Sequence, residues 1–162
     1  MKESASLPYR PCAGMMVINS DNRVFVGKRI DMPSEYWQMP QGGIDAGEDS
    51  EDAARRELLE EIGTDKVELL HILDDWLTYD LPDHLIGKVW KGKYRGQKQK
   101  WFLFRFTGQD ADINIATDHQ EFSDWKWTDL DNLVDEIVPF KKDLYGIICE
   151  NFRPIIQIGD NR

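Results

Sequence analysis

Gly42-Gly43-Ile44-Asp45-Ala46-Gly47-Glu48-Asp49-Ser50-Glu51-Asp52-Ala53-Ala54-Arg55-Arg56-Glu57-Leu58-Leu59-Glu60-Glu61-Ile62-Gly63 is the stretch on which the reading of this chain turns. The glycines at 42, 43 and 47 mark a turn, and the residues after them predict a helix. Asp49 or Ser50 can cap its start, Glu51 and Asp52 complement its positive end, and Gly63 suits a left-handed stop. Ala54, Leu58 and Ile62 recur every four residues and form an apolar stripe. Glu57, Glu60 and Glu61 stand at i, i+3 and i+4, so three carboxylates share one face. The stripe lies beside the Glu57/Glu61 edge, which places these carboxylates at the rim of a pocket. Arg56 precedes Glu60 by four residues and can also reach back to Glu48. Three like charges this close repel one another, and a hard divalent cation held by oxygen is their natural partner. The competing reading is a solvated acidic helix, which requires the glycines, Glu48 and the Arg-Glu spacing all to be coincidental.

Outward from this stretch, strand-like and helix-like segments alternate without repeats or low-complexity tracts. Residues 13–18 and 24–28 read as strands joined by a turn at residues 19–22. Residues 31–36 read as a loop around Pro33, and Trp37-Gln38-Met39-Pro40 feeds the glycine turn. Residues 67–73, 76–79 and 100–107 are expected strands, and residues 122–128 alternate with Trp125 and Trp127 on one face. Residues 130–136 and 141–152 are expected helices, the second amphipathic. Mixed strands and helices argue for an α/β layer architecture. A chain of 162 residues has the length for one domain, residues 1–162, with a sizeable core, and residues 1–8 read as a flexible N-terminus. Cys12 and Cys149 are too few and too far apart for a disulfide framework, so a reducing cytoplasm is the expected setting. The N-terminus has no apolar leader, and no stretch approaches a membrane span. His71, His84 and His119 lack the spacing of a zinc site.

The net charge of −10 argues against a nucleic-acid partner at first sight, because phosphate backbones favour basic surfaces. Residues 88–105 read otherwise: Lys88, Lys91, Lys93, Arg95, Lys98, Lys100 and Arg105 occur there without one acidic residue, interleaved with Trp90, Tyr94 and Trp101. Such a segment can embrace a polyphosphate or an RNA end while the acidic helix holds metal on the same phosphates. A solvated basic loop is the alternative. Lys98 and Lys100 alternate on the approach to a strand and are expected to point one way, into the site.

The pattern Gly42-x5-Glu48-x7-Arg56-Glu57-Leu58-x-Glu60-Glu61-x-Gly63 resembles the Nudix box, the signature of hydrolases acting on nucleoside diphosphates linked to another group. Thr64 stands where that pattern has an aliphatic residue, a departure that concerns packing after the helix. The resemblance extends over nearly the whole chain, through Tyr9-Arg10-Pro11, Trp37-Gln38-x-Pro40-Gln41-Gly42-Gly43, Gly96-Gln97-Lys98-Gln99-Lys100-Trp101-Phe102, Glu121-Phe122-x-x-Trp125-x-Trp127 and Phe140-Lys141. These segments look like the Nudix subgroup of bacterial RNA pyrophosphohydrolases and dinucleoside polyphosphate hydrolases.

The resemblance implies a Nudix fold, a mixed β-sheet sandwiched between α-helices. It implies removal of pyrophosphate from 5′-triphosphorylated RNA, or asymmetric cleavage of dinucleoside polyphosphates such as diadenosine tetraphosphate. It further implies that Glu57, Glu60, Glu61 and Glu121 bind Mg²⁺ (or Mn²⁺), with Glu61 and Glu121 both reasonable proton acceptors and Glu57 beside them in the catalytic set. Arg10, Arg29, Lys98 and Lys141 are then the candidate phosphate contacts, and Val138 and Phe140, around Pro139, the candidate base contacts. For Val138 and Phe140, core packing ahead of a helix is the competing reading. Another Nudix substrate, such as a nucleotide sugar or an oxidised nucleotide, and a noncatalytic nucleotide- or RNA-binding module remain the alternatives; the intact glutamates speak against the module.

Overall fold

The computed structural model describes residues 7–30, 35–118 and 120–160. The expected flexible stretch at residues 1–6, most of the expected Pro33 loop, and His119 therefore lie outside the described residues. Leu7 and Pro8 depart from the expected flexible terminus: Leu7 is buried, and the Pro8 carbonyl accepts a hydrogen bond from the Arg95 N–H at 3.0 Å.

The centre of the fold is a pair of long parallel strands, β1 (Tyr9–Ile18) and β6 (Gly96–Phe106), in register from Tyr9 opposite Gly96 to Ile18 opposite Arg105. Each is flanked on its outer edge by shorter antiparallel strands. β2 (Val24–Arg29) and β3 (Gln41–Gly43) pair with β1, while β4 (Val67–Ile72) and β5 (Leu77–Asp80) pair with β6. β7 (Phe122–Thr128) closes the other edge against β2, giving a mixed sheet of order β4-β6-β1-β2-β7. This long ladder starts β1 and β6 four residues earlier than local patterning predicts, because the two starts satisfy each other's backbone groups. The same logic makes Gln41-Gly42-Gly43 a short strand on β1, where the glycines alone suggest a turn.

Alternation along the central strands builds a core on each face. Met15, Val17, Phe102 and Phe104 pack with Ala54, Leu58 and Ile62 of helix α1 (Ser50–Ile62). Met16, Ile18, Trp101 and Leu103 pack with Ile148, Phe152 and Ile156 of helix α3 (Lys142–Asp160). The expected helix over residues 130–136 is a 3₁₀ turn followed by a short α2 (Leu133–Glu136). Helix α3 runs past the expected end at residue 152: Pro154 lies on its exposed side, where water can reach the carbonyl that its missing N–H leaves free, and Ile156 continues the apolar row. Trp125 and Trp127 do share a face, against Phe25 at centroid distances of 5.4 and 6.1 Å. Among the described residues no helix is long and apolar enough to cross a membrane.

Candidate active site

Helix α1 is held as its sequence predicts. The Asp49 carboxylate accepts from the N–H groups of Glu51 and Asp52 at 3.1 and 3.3 Å, and Gly63, at φ 75°, closes the helix in the left-handed conformation. Thr64, the departure from the family pattern, is buried, and its hydroxyl accepts from the Lys66 N–H at 3.1 Å, so the site after the helix takes a hydroxyl without an unpaired group.

One guanidinium organises the acids around it. Arg56 donates to both Glu48 oxygens at 2.9 Å, to the Gly43 carbonyl at 2.9 Å, to Glu57 at 3.0 Å and to Glu60 at 3.3 Å. Hydrogen bonding to Arg56 holds the Glu48 carboxyl down to about 2. Strand β3 lies so close to the helix that a Cβ on Gly42 would stand 2.1 Å from the Glu57 carboxylate and would push that carboxylate from its place.

The other two elements of the site meet at a β-bulge. Lys28 pairs with Asp124 but Arg29 pairs with Phe122, so Ser123 is the extra residue. Beyond it the Ile30 N–H donates to the Glu121 carbonyl at 2.8 Å. The antiparallel pairings of β2 with β1 and β7 put Arg29 and Glu121 at the same end of the sheet as Arg10 at the start of β1 and Gln97 near the start of β6.

A cleft of about 230 Å³ opens there, with Glu57, Glu61 and Glu121 on its lining together with Arg10, Arg29 and Lys141. Burial raises the Glu61 carboxyl well above the ordinary carboxylate range, and the negative charges of Glu57 and Glu121 raise it further. Burial, outweighing Arg56, also raises Glu57. Lys141 is 7% exposed, and burial, followed by repulsion from Arg29, lowers its ammonium to about 8. Two oxygens in this cleft, Glu61 Oε2 and Gln41 Oε1, are buried without a hydrogen-bond partner. Buried polar atoms normally have partners, so these two mark a place for a cationic or hydrogen-bonding guest. No group of three His, Cys, Asp or Glu side chains among the described residues is already gathered around one point fit for a metal ion. The donor set is nonetheless all hard oxygen, which suits Mg²⁺ or Mn²⁺.

The structure brings most of the sequence-predicted residues together, with four exceptions. Glu60 shares the helix face but does not line the cleft; its side chain is 40% exposed and engages Arg56. Lys98 does not point into the site. Strand alternation turns Gln97 and Gln99 inward and sends Lys98 and Lys100 outward, over the Trp76 ring at 5.3 and 6.0 Å. Val138 and Phe140 are half-buried and pack on the α3-side core rather than on the cleft lining, although the Phe140 ring leans on Tyr79, which does line it. Both arginines of the basic segment are also engaged elsewhere, Arg95 with Asp80 at 3.0 Å and Arg105 with the Asn19 carbonyl at 2.6 Å.

Sequence reasoning missed Gln38, Gln41, Tyr79 and Gln97, all on the cleft lining. Gln97 is held by a buried relay in which Trp101 Nε1 donates to Gln99 and Gln99 to Gln97, each at 2.7 Å. The alternation Gln97-x-Gln99-x-Trp101 was the available signal, since neutral amides on the inward face of a strand must satisfy one another.

Comparison with known proteins agrees with this geometry. The NUDIX domain model matches residues 8–146, and the chain belongs to the Nudix family. It is 57% identical over 158 residues to the RNA pyrophosphohydrolase of Sphingopyxis alaskensis, covering 96% of this chain and 100% of that one. It is 53% identical over 156 residues to the RNA pyrophosphohydrolase of Rickettsia rickettsii, covering 96% and 97% of the two chains. Among solved structures it matches the Ap4A hydrolase of C. elegans with a TM-score of 0.66 at 22% identity, covering 91% and 98% of the two chains. It also matches the E. coli dihydroneopterin triphosphate pyrophosphohydrolase with a TM-score of 0.65 at 20% identity, covering 89% and 99%. These two likenesses establish the fold, a mixed sheet between helices as in other Nudix hydrolases.

Proposed function

We propose that this chain hydrolyses a phosphoanhydride bond at the 5′ end of triphosphorylated RNA, leaving a 5′-monophosphate and releasing pyrophosphate. The observation that carries the reading is a single cleft with carboxylates Glu57, Glu61 and Glu121 and cations Arg10, Arg29 and Lys141 on its lining. The family membership and the names of relatives at 53–57% identity support it.

Glu57, Glu61 and Glu121, with Glu60 beside them on the same helix face, would hold the divalent ions that Nudix hydrolases generally use; Mg²⁺ or Mn²⁺, when bound, offsets phosphate charge and acidifies the attacking water. Arg10, Arg29 and Lys141 bind the triphosphate and keep its chain extended across the carboxylates. Water attacks phosphorus, its proton passes to a carboxylate, and the bond to the departing pyrophosphate breaks. Glu61 and Glu121, both on the cleft lining, are the candidates for that role. Phe140 stands against Tyr79, and with Val138 two residues before it would border the path of the terminal base. Two free, buried cysteines, their thiols raised to about 11 chiefly by burial, suit work in a reducing cytoplasm.

The test compares kcat/KM in Mg²⁺ for 5′-triphosphorylated RNA, diadenosine tetraphosphate and ADP-ribose. The expected order places RNA first. A tenfold preference for diadenosine tetraphosphate would assign the chain to dinucleoside polyphosphates, and binding without turnover of any of the three would make it a noncatalytic module.

A further inference from the structure

The relay behind Gln97 has a direction, and its direction is fixed by the residue farthest from the cleft. Gln97, Gln99 and Trp101 are each 1% exposed and share one face of β6 by strand alternation. Trp101 Nε1 donates to Gln99 Oε1, and Gln99 Nε2 donates to Gln97 Oε1, each at 2.7 Å. An indole N–H can only donate, so Gln99 must offer its oxygen to Trp101 and its nitrogen to Gln97. Gln97 must then accept through its oxygen, and its own NH₂ group ends the chain. That group has no acceptor among the described residues and is not sealed from solvent. Gln97 lines the catalytic cleft, so its NH₂ opens there.

The anchor of the relay is held on two sides. Gly14 stands opposite Trp101 on β1, where any Cβ would run into the indole ring. Tyr145 of α3 packs edge to face on Trp101 at 6.2 Å, and its hydroxyl accepts from the Met39 N–H at 2.9 Å. In so close a packing the indole cannot turn without moving β1 or α3. At the other end, Gln97 lies between its ladder partners, Arg10 of β1 and Tyr79 of β5, and all three line the cleft. A free amide presents its oxygen or its nitrogen by a half-turn. In a cleft already lined by carboxylates, an inward carbonyl would repel a phosphate chain and an inward NH₂ would bind one.

We infer that Trp101 and Gln99 are positioning residues: they lock the Gln97 amide with its NH₂ toward the cleft, where it donates to an oxygen of the bound polyphosphate. The inference deepens the reading above and rests on its polyphosphate, not on its RNA. The test measures the Kd of methylene-bridged tripolyphosphate, which resists hydrolysis, in Mg²⁺, with thermal melts and turnover of triphosphorylated RNA alongside. Gln97→Leu removes the donor and is expected to weaken binding about tenfold, the scale of one hydrogen bond to a charged group. Gln99→Glu sets an acceptor-only carboxylate in mid-relay, so Gln97 must turn its NH₂ back and show its oxygen to the cleft. It should weaken binding about tenfold or more in wild type, but less than about threefold in the Gln97→Leu background, where only the added charge acts. Gln99→Met, neutral and of similar length, frees the Gln97 amide to turn; it should weaken binding in wild type and not in the Gln97→Leu background. It decides the matter if Gln99→Glu fails to fold or takes up a proton. Equal losses in both backgrounds, or wild-type affinity in Gln97→Leu, overturn the inference. So does a lowered melting temperature in the Gln99 variants with Kd unchanged, the mark of a relay that only supports the fold. A wild type that binds the tripolyphosphate and leaves triphosphorylated RNA uncleaved overturns the RNA-end reading and leaves this inference standing.

Discussion

Helix α1 and the basic segment at residues 88–105 both concentrate like charges, yet the fold treats them differently. On α1 the acids converge: Glu57 and Glu61 line the cleft, and Arg56 binds Glu48, Glu57 and Glu60 together. In the basic segment the charges disperse, Lys98 and Lys100 to Trp76, Arg95 to Asp80, and Arg105 to the Asn19 turn. A helix repeats its faces every three to four residues, so clustered acids stay together wherever the helix is placed. A strand alternates, so clustered cations divide between two faces, and the sheet decides which face is the site. The cations that reach the cleft, Arg10, Arg29 and Lys141, come from three separate elements instead.

The sharpest way to break this contrast is Glu61→Gln. It is expected to lower kcat by roughly a hundredfold or more with the fold intact, the scale of losing a proton acceptor. Near-normal kcat in Mg²⁺ would remove the α1 cluster from catalysis. In metal-free protein the same variant should be more stable at neutral pH. A carboxyl raised above its ordinary 4.5 favours the folded state only when protonated, so stability falls as pH rises past that value. The advantage of Glu61→Gln should therefore vanish on acidification toward 4.5, as read by thermal melts across pH.

Lys141→Met comes next and probes a cation that the fold, not its own segment, delivers to the cleft. Lowering an ammonium from 10.5 to about 8 means that the unfolded chain holds the proton between those values. This group therefore adds stability as pH rises from about 8 to 10.5, and withdraws it as pH falls through 8. At pH 7 the charged side chain costs the fold roughly 3 kcal/mol, so the methionine variant should be stabilised by up to that amount and weakened in its use of triphosphorylated RNA. Equal denaturant midpoints at pH 7 and pH 10.5, relative to wild type, would show that Lys141 is not buried in charged form.

The smallest expected effect belongs to Lys98→Ala. Because Lys98 is exposed and lies over Trp76, kcat/KM for triphosphorylated RNA should change by less than about threefold, the limit of a screened surface charge. A tenfold loss confined to kcat/KM, with the melting temperature unchanged, would return Lys98 to the phosphate path and narrow the contrast with α1.

Much of the catalytic side was legible because its information is local. The Asp49 cap, the Gly63 stop, the Ala54-Leu58-Ile62 stripe and the reach of Arg56 to Glu48 all follow from spacing within one turn or one helix. The strands at residues 24–28 and 122–128 were legible for the same reason. The early starts of β1 and β6 were not, because they exist only as partners of each other across more than eighty residues of chain. Nor was the inward set Gln97 and Gln99, whose neutral side chains look unremarkable until the Trp101 relay buries them.

By itself, then, the sequence determined the helix that carries the acids, their common face, the family and the chemistry those residues suit. Only the tertiary structure decided which of them reach the cleft. It exposed Glu60 and buried Glu61, turned Lys98 away, and used the antiparallel pairing of β2 and β7 to bring Arg29 and Glu121 to the same end of the sheet. Periodicity sets a side chain's direction relative to its own backbone; its solvation and its neighbours depend on elements that the chain brings alongside only when it folds.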